Sequence, residues 1–299
     1  MKQSQCPKCG HDSLLFFMTR DYNRRITTDT FEFYRCDKCG FIFLAPVPAD
    51  LGRFYPSEYY ELPHSLTDLT ARAEKLQQSK LDVLTRFANG GSLLEIGPAY
   101  GLFAHLAKRA GFNVTGVEMD SRCCGFLRDT VGINVVEGSN TAQILSSLPM
   151  FDVIVMWQVI EHLTDCWQVL AMAAEHLAPG GILIVDTVNP DSLQFKVLRG
   201  RWTHVDAPRH VCLIPVHLLV EFAGQHGLQT VELSANGKIA QGYNSFGWAY
   251  SFKGFLAKET AGRIAHFAGR IIAKLLSPLE RTGWRGSTYT AVFRKEPAP

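Results

Sequence analysis

The chain has 299 residues, of which 46% are hydrophobic and 19% are charged, so it can fold around one large core with a small additional unit. Its net charge of +2 is too small to indicate a nucleic-acid binder or an enzyme for acidic substrates. The first residues lack an apolar signal core, and no apolar run is long enough to span a bilayer. We therefore expect a cytoplasmic globular protein with reduced thiols.

Two Cys-x-x-Cys pairs, each followed by glycine, lie near the N-terminus: Cys6, Cys9, Cys36 and Cys39. Four thiolates in this spacing can share one tetrahedral zinc ion, and the glycine relieves the tight turn. The stretches 13–19 and 30–35 between the pairs have the composition of β-strands. Residues 1–45 are thus predicted to form a zinc ribbon, and the zinc is structural because cysteine fills all four positions.

Charge decides whether such a ribbon contacts nucleic acid. Residues 1–50 contain seven Lys and Arg against six Asp and Glu, so the clustered positive charge that phosphate binding needs is absent. No nucleic-acid partner is expected, although RNA recognition stays open as an alternative. The remaining cysteines have no ligand spacing and are predicted to be ordinary buried thiols: Cys123, Cys124, Cys166 and Cys212.

A connector and a helix follow over 46–90. The prolines in Phe41–Pro48 predict an extended segment rather than a central strand. The aromatic residues of 54–60 are expected to dock on the main domain. Apolar residues at helical spacing predict a helix over 66–88.

The rest of the chain, 91–299, alternates strands with helices. Strands are predicted at 92–97, 113–118, 133–136, 151–156 and 182–187, and helices near 101–110, 121–130, 140–147 and 164–177. A helix at 216–226, a strand at 228–234 and a final strand near 287–294 complete the pattern, with insertions at about 191–215 and 237–286. Continuously apolar strands are typical of parallel strands covered on both faces, so we predict a doubly wound α/β sheet.

The segment Leu93–Gly101 is the most informative motif, because a buried strand runs into a glycine-bearing turn and the next strand ends on Glu118. This pattern indicates an adenosine-binding site. A dinucleotide site needs three glycines here, but Ala99 and Leu102 replace two of them. The segment instead resembles the first motif of class I S-adenosylmethionine-dependent methyltransferases.

The resemblance extends over about 92–190 and implies a seven-stranded Rossmann-like sheet with an antiparallel last strand. It also implies S-adenosyl-L-methionine as the cofactor. Glu118 would accept hydrogen bonds from both ribose hydroxyls, Glu137 would lie near the adenine, and Gln158 would lie near the methionine portion. The first loop contributes the remaining cofactor-binding candidates: Glu95, Gly97 and Gly101. Metal binding at Asp186 and Asn189 is the less favoured alternative to a metal-free site.

Residues 201–210 combine two histidines, an acid, two arginines and a tryptophan just past the ligand-binding edge. Loops this rich in titratable groups are good active-site candidates. His210 is predicted to be the general base, since imidazole can take the proton of an acceptor hydroxyl near neutral pH. A structural role for His210 stays open, and His204 and Asp206 are weaker catalytic candidates.

Residues 246–286 form an apolar and basic insertion. In the helix predicted near 259–276, Ile264, Phe267, Ile271 and Leu275 share one face. We favour a lid packed over the substrate pocket. The alternative is an amphipathic helix that makes peripheral contact with an anionic membrane.

Across nearly its whole length the chain resembles bacterial-type class I methyltransferases that carry an N-terminal zinc ribbon. This resemblance implies an enzyme that methylates a small molecule, such as a sugar, a lipid-linked compound or a secondary metabolite, at an oxygen atom. The deoxysugar C-methyltransferases share the ribbon arrangement but carry a longer C-terminal domain than this chain can hold, so we do not expect methylation at a sugar carbon. An RNA methyltransferase and a non-catalytic cofactor-binding protein are the alternatives.

Overall fold

The computed structural model describes residues 2–56, 58–254 and 259–297. It places twelve strands in these residues: β1 (Gln3–Gln5), β2 (Asp12–Arg20), β3 (Thr30–Cys36), β4 (Ile42–Leu44), β5 (Gly91–Ile96), β6 (Phe112–Glu118), β7 (Asn134–Glu137), β8 (Phe151–Trp157), β9 (Leu177–Val188), β10 (Cys212–Leu213), β11 (Leu228–Ser234) and β12 (Thr288–Lys295).

The described residues also form nine α-helices: α1 (Leu66–Leu84), α2 (Leu102–Arg109), α3 (Ser121–Phe126), α4 (Thr141–Leu145), α5 (Cys166–Glu175), α6 (Leu193–Leu198), α7 (Val216–Gln225), α8 (Lys238–Gly254) and α9 (Glu259–Glu280). Within the described residues, no helix combines the length and the apolar character that crossing a bilayer requires.

The larger sheet has seven strands in the order β11-β12-β9-β8-β5-β6-β7. The five strands from β9 to β7 pair in parallel, while β12 lies antiparallel to both β9 and β11. Alternate residues of β5 and β8 enter two separate buried clusters, one on each face of the sheet. This arrangement confirms the doubly wound α/β prediction, including the antiparallel last strand.

The smaller sheet, β1-β2-β3-β4-β10, joins the N-terminal strands to a strand from the loop after β9. The prediction that Phe41–Pro48 contains no central strand was wrong for Ile42–Leu44, which pair with β3 on one side and with β10 on the other. These residues precede both prolines, so their amide groups are available for pairing. The domain boundaries at residues 45 and 90 stay a prediction.

Several element ends differ from the sequence prediction. Helix α1 ends at Leu84 rather than residue 88, and β9 begins at Leu177 rather than residue 182. The four cysteines outside the Cys-x-x-Cys pairs are buried free thiols, as predicted.

The insertion before β12 folds as a pair of packed helices, α8 and α9. A Cβ atom at Gly269 of α9 would lie 2.6 Å from the backbone oxygen of Trp248 in α8. Glycine is therefore required for the two backbones to approach this closely.

Candidate active site

The turn after β5 is the first part of the site. Gly97, Ala99 and Gly101 all adopt the left-handed region, with φ of 68°, 51° and 87°. A Cβ at Gly97 would lie 2.7 Å from Val159, and one at Gly101 would lie 2.5 Å from Leu127. The two glycines are required by space and by backbone conformation, whereas Ala99 occupies a strained conformation in place of the middle glycine.

Glu118, at the carboxyl end of β6, holds this turn in place. Its Oε2 accepts a hydrogen bond from the Ala99 amide at 2.9 Å, and its Oε1 accepts from the amides of Met119 and Asp120 at 2.7 and 2.9 Å. The side chain is buried, and burial raises its pKa. A carboxylate has about four acceptor positions, so three are occupied and one is left for a ligand.

A cavity of about 160 Å³ lies between the turn and α1. Three buried polar atoms of its lining have no hydrogen-bond partner among the described residues: Gln77 Oε1, Glu95 Oε2 and Trp157 Nε1. Buried polar atoms are nearly always paired in folded proteins. Unpaired atoms that converge on one cavity therefore indicate a polar ligand.

Lys80 and Glu95 are ionisable side chains that line this cavity. Burial lowers the pKa of Lys80, with Asp186 and Glu95 acting in the opposite direction. Burial raises the pKa of Glu95 to about 8, while Lys80 acts against that rise. The Lys80 ammonium also lies 5.4 Å from the centre of the Trp157 ring. One basic and one acidic side chain thus line the same cavity, which suits a ligand with both charges.

Two other predicted cofactor residues are engaged with protein groups. The Gln158 Nε2 donates to Asp186 Oδ1 at 2.6 Å, beyond the end of β8. Asp186 also accepts a hydrogen bond from Thr290 of β12, and burial raises its pKa to about 6. Glu137 ends β7 beside Glu118 in the parallel register, and its exposed side chain accepts a hydrogen bond from Ser121 Oγ at 2.6 Å.

The second part of the site is a histidine pair. The rings of His162 and His210 lie 4.5 Å apart in an edge-to-face arrangement. His210 Nδ1 lies 2.8 Å from the carbonyl oxygen of His204, and His162 Nδ1 lies 3.1 Å from that of Arg209. A carbonyl only accepts, so Nδ1 of His210 carries the proton and its Nε2 carries a lone pair. Burial, reinforced by His162, lowers the pKa of His210 to about 3.

The loop that carries His210 is anchored by Arg209. Its guanidinium is fully buried and contacts Asp206 at 2.8 and 2.9 Å and Asp21 at 2.7 Å. The pKa of Asp206 is held well below its usual range by the hydrogen bonds from Arg209 and by nearby positive charge, against the effect of burial. Asn23 also donates to Asp206.

His204 faces α8, where its Nε2 lies 3.2 Å from the Tyr243 carbonyl oxygen. Burial lowers the pKa of His204 to about 4. Glu161, next to His162, is fully buried, accepts a hydrogen bond from Thr187 at 2.9 Å, and has a pKa that burial raises to about 8. The catalytic assignments of His204 and Asp206 stay predictions, and their present contacts suit positioning roles.

An aromatic connector joins the two parts of the site. The hydroxyl oxygen of Tyr55 lies 3.0 Å from His162 Nδ1, and the Tyr55 ring contacts that of Tyr59. Tyr59 contacts Tyr60, whose ring lies 6.2 Å from Tyr100 in the turn after β5. The prediction that these aromatic residues dock on the main domain is confirmed.

The four predicted ribbon cysteines come together at the other end of the small sheet, with all four Sγ atoms within 4.8 Å of one another. Measured Sγ–Sγ distances are 3.7 Å for Cys6–Cys39, 3.5 Å for Cys9–Cys36 and 3.7 Å for Cys9–Cys39. Sulfurs bound to one zinc at about 2.3 Å in a tetrahedron lie about 3.8 Å apart, so this donor set fits the metal.

Three polar residues of the cavity lining were missed in the sequence analysis: Gln77, Lys80 and Trp157. A signal existed for Lys80, because it lies on the buried face of α1 with Leu69, Ala73 and Leu84. A lysine in an apolar register requires a specific partner. Gln77 and Trp157 carry no comparable signal.

The fold is similar to that of solved structures. An S-adenosylmethionine-dependent methyltransferase from Archaeoglobus fulgidus superposes with a TM-score of 0.52 at 19% identity, covering 75% of this chain and 94% of that one. Phosphoethanolamine N-methyltransferase 2 from Haemonchus contortus superposes with a TM-score of 0.54 at 14% identity. The superposition covers 99% of this chain and 71% of that one.

Sequence relatives agree with this fold. The ubiquinone biosynthesis O-methyltransferase of Aromatoleum aromaticum is 26% identical over 220 residues, which is 68% of this chain and 90% of the relative. The protein of the same name from Paramagnetospirillum magneticum is 31% identical over 109 residues, which is 36% of this chain and 44% of the relative.

Residues 69–233, more than half of the chain, match the family described as a methyltransferase domain. This stretch contains most of α1, the turn after β5, Glu118 and the histidine pair. The chain therefore belongs to this methyltransferase family and is an S-adenosylmethionine-dependent enzyme.

Proposed function

We propose that the enzyme transfers the methyl group of S-adenosylmethionine to a hydroxyl oxygen of a small molecule. The relatives named as O-methyltransferases support oxygen as the acceptor atom. Near-neutral overall charge supports a small acceptor over a nucleic acid. The site lies beyond the carboxyl ends of the parallel strands, where α/β folds of this type bind ligands.

The cavity beside α1 is the proposed site for the methionine end of the cofactor. Glu95 Oε2 and Gln77 Oε1 would accept from its ammonium group, and Lys80 and Trp157 Nε1 would donate to its carboxylate. These assignments use every unpaired polar atom of the cavity lining. The narrow turn at Gly97 and Gly101 would allow the cofactor to approach the backbone closely.

Glu118 is the proposed partner of the ribose. Its one remaining acceptor position can take one hydroxyl while the turn keeps its present hydrogen bonds. To accept a hydrogen bond from the second ribose hydroxyl, the carboxylate must lose one of its three hydrogen bonds from backbone amides. Glu137 and Gln158 remain proposed neighbours of the cofactor at the ends of β7 and β8.

His210 is the proposed general base. The bound cofactor supplies an activated methyl group, and the protein aligns the acceptor oxygen with it. An oxygen that gains a methyl group while keeping its proton is a far stronger acid than an imidazolium of pKa about 3. A neutral His210 can therefore take that proton at Nε2, although its own pKa is low.

The observation that carries the proposed O-transfer is the 2.8 Å contact between His210 Nδ1 and the His204 carbonyl, since it leaves Nε2 free to accept. The test is S-adenosylhomocysteine formation with labelled cofactor and three acceptor sets: hydroxylated aromatic compounds, sugars and total RNA. Transfer to a hydroxyl of a small molecule is expected. Transfer only to RNA, or only to nitrogen or carbon, would contradict the proposal.

We also propose that the four-cysteine cluster binds one structural zinc ion. The support is its Sγ spacing and the absence of a non-cysteine ligand in the set. Metal analysis of the purified protein should give one zinc per chain, and Cys36→Ser should lower that value and the melting temperature. Full folding and unchanged stability after complete chelation would contradict this role.

A further inference from the structure

Helix α9 turns its large apolar side chains towards solvent. Five such residues, spaced three or four apart, are between 47% and 72% exposed: Ile264, Phe267, Ile271, Leu275 and Leu279. This spacing places them along one side of the helix. This apolar face of α9 therefore does not pack over the substrate pocket, while a lid role for the insertion 246–286 as a whole stays a prediction.

The opposite side of α9 holds the helix on the protein with small residues. Gly262, Gly269 and Ala273 are buried, and Gly269 lies against the backbone of Trp248 in α8. Close contact between the two backbones thus fixes α9 without using the five exposed apolar side chains. The exposed apolar stripe remains available for a partner.

Charge indicates the chemistry of that partner. Arg263, Arg270 and Lys274 are exposed on α9. The only acidic residue in 262–280 is Glu280, which is buried and accepts hydrogen bonds from Gln194 and Trp248. An apolar stripe flanked by cations alone is complementary to an anionic lipid surface.

We propose that α9 docks the enzyme on an anionic bilayer, with the apolar stripe inserted at the headgroup boundary and the cations on lipid phosphates. A second copy of the chain is a poorer occupant, because a two-fold contact through this stripe would bring like charges together. This inference goes beyond the proposed methyl transfer. Because α8 contacts His204 on its other side, docking would also place the acceptor site near the membrane.

Flotation of the full chain with vesicles tests the proposal. Binding is expected to vesicles containing one-third phosphatidylglycerol and to be much weaker to pure phosphatidylcholine. The double variant Phe267→Glu/Leu275→Glu should lose at least tenfold in binding. Arg270→Glu should lose about fivefold or more, as expected from about 1 kcal/mol per cation near such a surface. The matched control is Met150→Glu, which changes an exposed apolar residue ahead of β8 and should bind as the wild type does.

Cofactor affinity measured by calorimetry and the circular dichroism spectrum should be the same in all variants, which separates a lost surface from a lost fold. Failure of the wild type to bind anionic vesicles would overturn the proposal. Vesicle binding by Phe267→Glu/Leu275→Glu as strong as that of the wild type would also overturn it. A third contrary result is a wild-type protein that binds no vesicles but forms a dimer in solution, with the double variant monomeric.

Discussion

Arg209 and Asp21 form an ion pair 2.7 Å long whose two side chains are completely buried, although 188 residues separate them in the sequence. One belongs to the loop of His210 and the other follows β2 of the ribbon. The pair thus fixes the proposed catalytic loop against the N-terminal sheet.

Removing the charge of Asp21 should destabilise the protein. Asp21→Asn leaves Arg209 with Asp206 alone, and loss of one partner of a buried pair typically costs about 3–5 kcal/mol. Chemical denaturation measures this value. The control is Asp29→Asn, whose exposed pair with Arg53 should be worth less than about 1 kcal/mol. Equal effects of the two substitutions would contradict the anchoring role.

Replacing Lys80 should weaken the binding of the cofactor's carboxylate specifically. Lys80→Met is expected to lower S-adenosylhomocysteine affinity about tenfold or more, as for loss of a charged hydrogen bond. Affinity for methylthioadenosine, which lacks the carboxylate, should stay unchanged in calorimetry. Lys75→Met on the exposed side of α1 is the matched control. Equal losses for both ligands would place Lys80 in a merely structural role.

Replacing His210 should slow methyl transfer without weakening cofactor binding. His210→Gln removes the proposed proton acceptor, so kcat should fall about 10²–10⁴-fold. His226→Gln is the control, because His226 also contacts a backbone carbonyl through Nδ1 but lies at the end of α7. A His210→Gln enzyme with wild-type kcat would remove the general-base assignment.

The buried histidines should make stability depend on pH. The pKa of His210 is about 3 in the folded protein and about 6.5 when unfolded, so between these values only the unfolded chain binds the proton. Stability contributed by this group therefore falls as pH decreases from about 6.5, by at most about 1.4 kcal/mol per pH unit.

Buried acids such as Glu161 act in the opposite direction, because burial raises their pKa. The comparison with His210→Gln isolates the histidine, and this variant should lose less stability than the wild type between pH 7 and pH 5. Thermal or chemical denaturation at each pH gives both slopes. Parallel curves would show that His210 does not titrate as described.

The sequence predicted the parts of the fold that local patterns determine. The Cys-x-x-Cys pairs, the continuously apolar strands and Glu118 at the end of β6 each follow from neighbouring residues. The site also depends on contacts between distant segments, which local patterns do not contain. Strand β10 pairs with β4, and Arg209 reaches Asp21, only because the loop after β9 folds back on the ribbon.

The amphipathic pattern of α9 was visible in the sequence, but the direction of its apolar face was not. Periodicity shows that one face is apolar, whereas packing decides which face is buried. Here the small residues Gly269 and Ala273 take the inner side. Lys80 is the opposite case, since its position in the apolar register of α1 already indicated burial.

Titration calorimetry of the wild type and Glu118→Ala with S-adenosylmethionine tests most directly whether the cofactor lies against the turn that this carboxylate holds. The wild type should bind S-adenosylmethionine and not NAD, and Glu118→Ala should bind it at least about tenfold more weakly, since a charged hydrogen-bond acceptor is lost. Equal affinity of the two proteins for S-adenosylmethionine, or preferential binding of NAD by the wild type, would contradict this placement of the cofactor.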